Sequence, residues 1–208
     1  MSTGHTILMV LLSFLIGARA AESGRPDDRE QKVQYLLNFT EYVEWPANAF
    51  TNAKASIVIG VIGEDPFGEA WKVLEGKKSQ GRPLEVRRFK GIMEFRGQET
   101  PGRRQDELEA KKRAKRGELR ACHVLYVSRS EDDFLPQVIR TVRNAHVLTV
   151  GDKPSFARQG GVIGFFKDGS RLNFEISLKA AKGANLKVSS KLLALAKPIH
   201  EEDAQTKP

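Results

Sequence analysis

The sequence predicts an α/β fold: a single three-layer wound sheet with helices on both faces. We expect a mainly parallel sheet with an antiparallel hairpin at its C-terminal edge. Three uncharged runs support this expectation, because each ends in a small or acidic turn before a helical or turn segment. These runs cover residues 56–63, 122–127 and 146–150. In such sheets the carboxyl ends of the parallel strands meet along one edge, where ligands or partners bind.

Residues 1–20 are interpreted as a secretory signal peptide that is cleaved after Ala20. An apolar run over residues 6–17 is too short to span a bilayer comfortably, and Ala18 and Ala20 provide the small residues of a cleavage site. The alternative is an uncleaved anchor. Cleavage would remove one Arg and no acid, so the net charge would fall from +8 to +7. We expect a basic periplasmic protein that meets acidic partners or, weakly, an anionic membrane surface, and no nucleic acid.

One domain is predicted over residues 31–198, between a disordered leader at 21–30 and a polar tail at 199–208. An amphipathic helix should cover residues 30–44 and end before Pro46, because the residue before a proline avoids the helical region. Asp65 is the expected N-cap of a second, short helix that begins at Pro66.

Residues 98–117 form a charged segment that we predict to be a helical insertion. Pairs such as Glu107 and Lys111 have the i,i+4 spacing that supports a helix, and Leu108 is the one large apolar side chain over residues 103–116. The segment is either a solvated helix or a basic arm for an acidic partner or lipid headgroups. The arm would comprise Arg103, Arg104, Lys111, Lys112, Arg113, Lys115 and Arg116.

Two further elements follow the strand at residues 122–128. Ser130 is the expected N-cap of a helix whose first turn is acidic. Asp168-Gly169 separates an apolar run from a stretch of strict alternation at residues 172–178, which predicts the edge hairpin. A last helix is expected over residues 186–196.

The sequence carries no catalytic motif that we recognise: no P-loop, no G-x-S-x-G elbow, no H-E-x-x-H and no cysteine pair at metal spacing. His123 and His146 stand at the amino ends of predicted strands and are expected to be structural. Cys122 is the single cysteine, so no intramolecular disulfide can form. It is expected to be buried, and the alternative is an exposed thiol that crosslinks two copies. We therefore predict a non-enzyme with no metal and no cofactor.

The candidate binding residues are acids and aromatics near the predicted carboxyl edge and the first helix. Glu64 and Asp152 have no evident local role, whereas Asp65 has one as a cap. For the aromatic residues the alternative is core packing, and for the acids it is decoration of loop ends. The candidates for partner or ligand binding are Tyr42, Trp45, Glu64, Asp65, Phe67, Asp152 and Phe156.

Several segments, in order, resemble the YfiR-like family. They include YLLNFTEYVEWP at residues 35–46, IGVIG at 59–63, CHVLYVS at 122–128, VLTVGD at 147–152 and LKVSSKLLALA at 186–196. The resemblance covers nearly all of residues 31–197. It implies a small periplasmic α/β protein without catalysis. The best-understood member of the family represses an inner-membrane diguanylate cyclase by binding its periplasmic domain, and it tends to dimerise.

Two departures from the family pattern limit what the resemblance implies. The type member is disulfide-bonded and redox-sensitive, so its redox switch does not carry over to a chain with one cysteine. The segment at residues 98–117 resembles an insertion. We predict an exported regulator, able to form a homodimer, that represses or modulates an inner-membrane diguanylate cyclase or sensor kinase through its periplasmic domain. The alternative is a single-lobed periplasmic small-ligand-binding protein, with residues 63–65 and 151–156 lining its pocket.

Overall fold

The computed structural model describes residues 27–93, 105–197 and 199. The predicted signal peptide, Arg103, Arg104 and residues 200–208 lie outside the described residues. Part of the predicted leader is helical, because the first helix begins at Asp28 and Asp27 accepts a hydrogen bond from the Arg29 amide as its N-cap.

Helices, strands and short 3-10 turns alternate along the described chain. The helices are α1 (Asp28–Tyr42), α2 (Gln105–Arg120), α3 (Leu135–Val142), α4 (Leu178–Gly183) and α5 (Ser190–Leu195). The strands are β1 (Val43–Glu44), β2 (Ile57–Ile62), β3 (Lys78–Ser79), β4 (Arg82–Phe89), β5 (Val124–Val127), β6 (Leu148–Gly151), β7 (Ile163–Asp168), β8 (Arg171–Ile176) and β9 (Lys187–Val188). Short 3-10 helices cover Ala47–Ala49, Gly68–Leu74 and Arg129–Phe134. Within these described ranges, no helix has the length and apolar character needed to cross a membrane.

The sheet has the order β3-β4-β2-β5-β6-β7-β8. Strands β4, β2, β5, β6 and β7 are parallel, whereas β3 and β8 are antiparallel edge strands. Every residue of β2 is buried, as expected for a central strand covered on both faces. The predicted wound α/β fold with its C-terminal hairpin is confirmed. The second antiparallel edge, β3 on β4, was not predicted.

Helices pack on both faces of the sheet. Phe39 of α1 stacks on Phe165 of β7 and meets Phe174 of β8 edge-on, with ring centroids 5.7 and 5.2 Å apart. The opposite face is covered by α3, whose Leu135 and Val138 belong to a second apolar cluster. Leu119, near the end of α2, is fully buried in that cluster, so α2 is anchored to the body at its C-terminal end.

The predicted last helix at residues 186–196 is wrong in its first part. Val188 belongs to β9 and pairs with Val43 of β1 in a two-stranded ribbon. Helix α5 begins only after Ser189, whose Oγ accepts a hydrogen bond from the Leu192 amide at 3.3 Å. The apolar residues on either side of Ser189 fit one helical stripe in the sequence, but the N-cap and the pairing with β1 divide them.

Candidate functional site

The sequence-predicted site residues lie at two opposite ends of the sheet. Lys32, near the start of α1, has its Nζ atom 2.7 Å from Oδ2 of Asp152, just beyond the carboxyl end of β6. Trp45, beyond the end of α1, donates from Nε1 to the His123 carbonyl at 3.3 Å, beside the amino end of β5. Helix α1 therefore spans the sheet between its two ends. Tyr42 and Trp45 lie at the amino end, whereas Glu64, Asp65, Phe67, Asp152 and Phe156 follow the carboxyl ends of the strands.

We define the carboxyl edge as the loops after β2, β4, β5 and β6, at residues 63–67, 90–92, 128–132 and 152–156. Asp65 organises the first of these loops. Its carboxylate accepts hydrogen bonds from the Phe67 amide (2.9 Å), Trp71 Nε1 (2.9 Å) and Arg88 Nε (2.7 Å). The predicted N-cap role is wrong in detail, because the 3-10 helix begins at Gly68 and Phe67 occupies the cap position. Asp65 instead fixes the loop to β4.

Asp152 links the carboxyl edge to α1. The side chains of Asp152 and Lys32 are each only 17% exposed, so the ion pair is largely shielded from water. Oδ1 of Asp152 is buried and has no hydrogen-bond partner among the described residues. Burial, and then the negative charge of Asp152, raise the pKa of the nearby Tyr126 phenol far above its ordinary value. The carboxylate for which the sequence shows no local role thus has a partner 120 residues away in sequence.

Two aromatic candidates at this edge belong to the core. Phe67 is 1% exposed, and its ring meets Trp71 and Tyr126 edge-on, with both centroid distances 4.7 Å. Phe156 is also 1% exposed, and its ring occupies the space where a Cβ at Gly151 or Gly161 would lie. At the other end Trp45 is 9% exposed, whereas Tyr42 is 38% exposed. Tyr42 is therefore the aromatic candidate with a surface that a partner can reach.

The crevice between β2 and β5 is filled by the protein's own side chains. The chain continues from β2 to one side of the sheet and from β5 to the other, which makes this the point where wound sheets usually bind ligands. Here Ser130 Oγ accepts from the Glu64 amide at 2.9 Å, and Glu131 Oε2 accepts from the Ile92 amide at 2.7 Å. Ser130 is thus not the helix N-cap that the sequence predicts, because its hydroxyl ties this loop to the loop after β2.

Glu64 remains available at the surface of the carboxyl edge. Its side chain is exposed and makes no hydrogen bond or ion pair with any other described residue. Arg88 and Arg129 are exposed at the same edge. The edge therefore presents exposed charges of both signs on a surface whose central crevice is closed.

The described part of the predicted basic arm lies on α2. Lys111, Arg113 and Arg116 are exposed, whereas Lys112 and Lys115 are half-buried. Lys112 Nζ lies 2.8 Å from Glu109 Oε1 within the same helix. Three of the five described cations of the predicted arm are thus exposed.

The histidines and the cysteine have structural surroundings. His123 Nδ1 accepts from the Val58 amide at 3.1 Å, and its Nε2 lies 3.2 Å from the Ala49 carbonyl, so the neutral ring with hydrogen on Nε2 satisfies both contacts. Burial lowers the pKa of His123 to about 4 and raises the pKa of the Cys122 thiol to about 12. His146 Nδ1 lies 3.1 Å from the Ala184 carbonyl. In the portion of the chain that the structure describes, no group of three His, Cys, Asp or Glu side chains is arranged to hold a metal.

The family model described as YfiR/HmsC-like matches residues 29–197. The chain belongs to the YfiR/HmsC-like family. This family is known for periplasmic regulation. No curated protein matches the sequence.

Two solved structures match this chain. A conserved domain protein from Vibrio cholerae O1 biovar El Tor matches with a TM-score of 0.53 and 12% identity, over 82% of this chain and 60% of the other. The ABC domain in complex with L-Trp from Streptococcus pneumonia matches with a TM-score of 0.48 and 11% identity, over 82% and 61%. This chain thus spans about three fifths of each of those chains. The first of these structures supports the α/β architecture alone.

Proposed function

We propose that this protein is an exported, non-catalytic regulator that binds the periplasmic domain of an inner-membrane signalling enzyme, a diguanylate cyclase or a sensor kinase, and represses it. The observation that carries the proposal is the family match across residues 29–197, which takes in every described element apart from the first residue of α1. The closed crevice between β2 and β5 supports it, because a surface without a cleft suits docking better than chemistry on a small substrate.

Repression requires unequal binding to the two states of the partner. A regulator that bound the active and inactive states equally would shift nothing, whatever its affinity. A tenfold preference for the inactive state corresponds to about 1.4 kcal/mol. Contacts fixed by the body of the protein serve this purpose well, because rigid groups lose little conformational freedom on binding.

The contact surface is proposed to be the carboxyl edge around Glu64, with Tyr42 marking the alternative surface at the amino end. A standard interface covers roughly 800 Å² on each partner, so one small domain docks on one end rather than on both. Glu64→Arg reverses a charge at the carboxyl edge, and Tyr42→Ala removes the exposed aromatic ring at the amino end. Glu118→Arg, on exposed α2, makes the same charge change away from both surfaces.

The test is affinity capture of detergent-solubilised inner membrane proteins on immobilised residues 21–208, with mass spectrometric identification. Recovery of one cyclase or kinase with a periplasmic domain, weakened at least tenfold by Glu64→Arg and not weakened by Glu118→Arg, is expected. If Tyr42→Ala weakens capture and Glu64→Arg does not, the contact surface is at the amino end instead. Recovery of no such enzyme at low and moderate salt would refute the regulator proposal.

The basic arm adds a second, separable contact. Lys111, Arg113 and Arg116 are exposed on α2 and would meet an acidic partner surface. Replacing all three by Glu should weaken capture at low salt more than at moderate salt, because exposed charges are screened. The same replacement at exposed Lys54, Lys77 and Lys191 is the matched control. If the two triple variants weaken capture equally, the effect comes from net charge alone, and the basic arm is not a contact.

A further inference from the structure

A groove of about 580 Å³ lies outside the carboxyl edge, and part of its lining begins at Ala157, directly after the loop at residues 152–156. It runs between α3, the segment at residues 157–162, and α4, beside the amino-terminal part of β6. Small-molecule sites commonly enclose roughly 300–1,000 Å³, so the groove has the volume of a ligand site. It is distinct from the pocket that the sequence suggested at residues 63–65 and 151–156, where Ser130, Glu131 and Phe156 fill the space.

The floor and walls of the groove are largely apolar. Val142, Val147 and Val162 are buried apolar side chains that line it. Small residues keep it open: Gly160, Gly183, Ala157, Ala180 and Ala184 also belong to its lining. An apolar body of a ligand would therefore displace water from apolar surface, which is the main favourable contribution to such binding.

The charges around the groove have one sign. Its lining includes Arg143, Arg158 and Lys179 and contains no Asp or Glu. Arg143 and Lys179 are exposed, and neither forms an ion pair with a described carboxylate. Arg143 and Lys179 are therefore the two cations of the rim that attract an anion.

The C-terminal end of α3 does not oppose an anion here. The last carbonyls of a helix carry partial negative charge, which would repel a carboxylate. Arg120 places Nη1 2.9 Å from the carbonyls of both Thr141 and Arg143. Its guanidinium therefore offsets that negative end beside the groove.

We propose that this groove binds a small amphiphilic monoanion, a single carboxylate attached to an apolar acyl or aromatic body. The apolar walls hold the body, and Arg143 and Lys179 hold the carboxylate. The lining shares no residue with the carboxyl edge, so the inference stands whether or not the protein docks there.

The test uses residues 21–208 and three eight-carbon probes below their aggregation concentrations: octanoate, octanamide and octylammonium. Titration calorimetry and amide NMR shifts should show saturable octanoate binding that perturbs Thr149 and Val162, at least tenfold tighter than octanamide binding. The variant Arg143→Gln/Lys179→Gln should weaken octanoate at least tenfold. Lys54→Gln/Lys191→Gln, which removes two exposed cations elsewhere, should leave it unchanged.

A second variant blocks the groove without changing any charged residue. Apart from its chain neighbours and the backbone of its own helix, no atom lies within 4 Å of a Cβ placed on Gly183, the last residue of α4, so Gly183→Phe adds a ring without a collision at its Cβ. It should abolish octanoate binding and leave the unfolding midpoint within a few degrees. The proposal is overturned if octanoate does not bind at millimolar concentration, if octanamide binds equally well, or if both double variants behave alike. Loss of self-association in Gly183→Phe, with no octanoate binding in the parent protein, would instead make the groove a contact between copies.

Discussion

Glu131 and Ile92 join two loops at the carboxyl edge through a buried hydrogen bond. Oε2 of Glu131 accepts from the Ile92 amide at 2.7 Å, and the Glu131 residue is 4% exposed. Burial raises the pKa of this carboxyl, and the hydrogen bond from Ile92 opposes the rise only in part. The loops after β4 and β5 are thus joined by an acid that is less readily ionised than in the unfolded chain.

The raised pKa of Glu131 predicts a contribution to stability that falls as pH rises. The folded protein holds this proton more tightly than the unfolded chain, so stability is lost as pH increases from the unfolded value near 4.5 through the folded value. Glu131→Gln keeps an acceptor for Ile92 and removes the titration. Urea unfolding at several pH values should show that the unfolding free energy of the variant rises relative to that of the parent protein as pH increases. A constant difference between the two would contradict the assignment.

His123 predicts the opposite pH dependence. Its pKa is lowered from 6.5 to about 4, so the folded state binds fewer protons than the unfolded chain. Stability from this group is complete above pH 6.5 and declines by about 3 kcal/mol as pH falls to 4. His123→Gln should be less stable at pH 7, because its contacts to Val58 and Ala49 are altered, and should lose most of that decline. If the unfolding free energies of variant and parent fall by the same amount between pH 7 and pH 4, another group is responsible for the decline.

Replacing Gly63 by a residue with a side chain is predicted to lower the free energy of unfolding for two separate reasons. Its φ is +91°, and an added Cβ would collide with Ser130 Oγ and lie 2.9 Å from Glu131 Cγ. Gly63→Ala should cost roughly 3 kcal/mol of unfolding free energy, the sum of backbone strain and overpacking. Gly76→Ala is the matched control, since Gly76 has φ +68° and no atom within 4 Å of its Cβ. It should cost about 1 kcal/mol, and equal losses would mean that the crevice is not tightly filled.

The ion pair between Lys32 and Asp152 should contribute more to stability than an exposed pair. Lys32→Met leaves a shielded carboxylate without its partner and should cost about 2 kcal/mol. Adding Asp152→Asn should recover part of this loss, giving a coupling energy of about 1 kcal/mol in a double-mutant cycle. Lys72→Met breaks the exposed pair with Glu69, whose side chain is 86% exposed, and should change stability by less than about 0.5 kcal/mol. Additive effects in the Lys32 cycle would argue against the coupling.

Cys122 should be unreactive in the folded protein. Its residue is 2% exposed, and burial raises the thiol pKa to about 12, so almost no thiolate is present at pH 8. Labelling with an aromatic disulfide reagent should be at least a hundredfold slower than in denaturant. Rapid labelling, or a disulfide-linked dimer on a non-reducing gel, would instead support the exposed, crosslinking thiol.

Local sequence patterns correctly predicted the elements that depend on residues close together in the sequence. The uncharged run at β2 and the Asp168-Gly169 turn between β7 and β8 both appear as expected, the latter with Gly169 at φ +59°. The predictions were wrong where a contact with a residue distant in the sequence determines the local structure. Ser130 bonds the Glu64 amide 66 residues away instead of capping its own helix, and Val188 pairs with Val43 instead of continuing a helix.

The candidate site shows the same limit. Composition and spacing indicated that Asp152 lacked a local role, but nothing near it in sequence points to Lys32. Phe156 was placed correctly in a loop after β6, yet its burial depends on Gly151 and Gly161, which leave room for its ring. The groove between α3 and α4 was missed because its lining is drawn from separate segments between residues 139 and 184. The sequence signal available was the concentration of small residues at 157–161 and 180–184.

The long link between β4 and β5 has a consequence for how this fold can vary. β4 ends at Phe89 and β5 begins at Val124, so the two strands on either side of β2 are joined by a connection that contains all of α2. The entropy of closing a loop grows only logarithmically with its length, by about 0.6 kcal/mol for each doubling. Added sequence in this connection therefore costs the sheet little, provided that its end is anchored as Leu119 anchors α2. This link is a position where the fold can acquire a new surface by insertion without rebuilding its core.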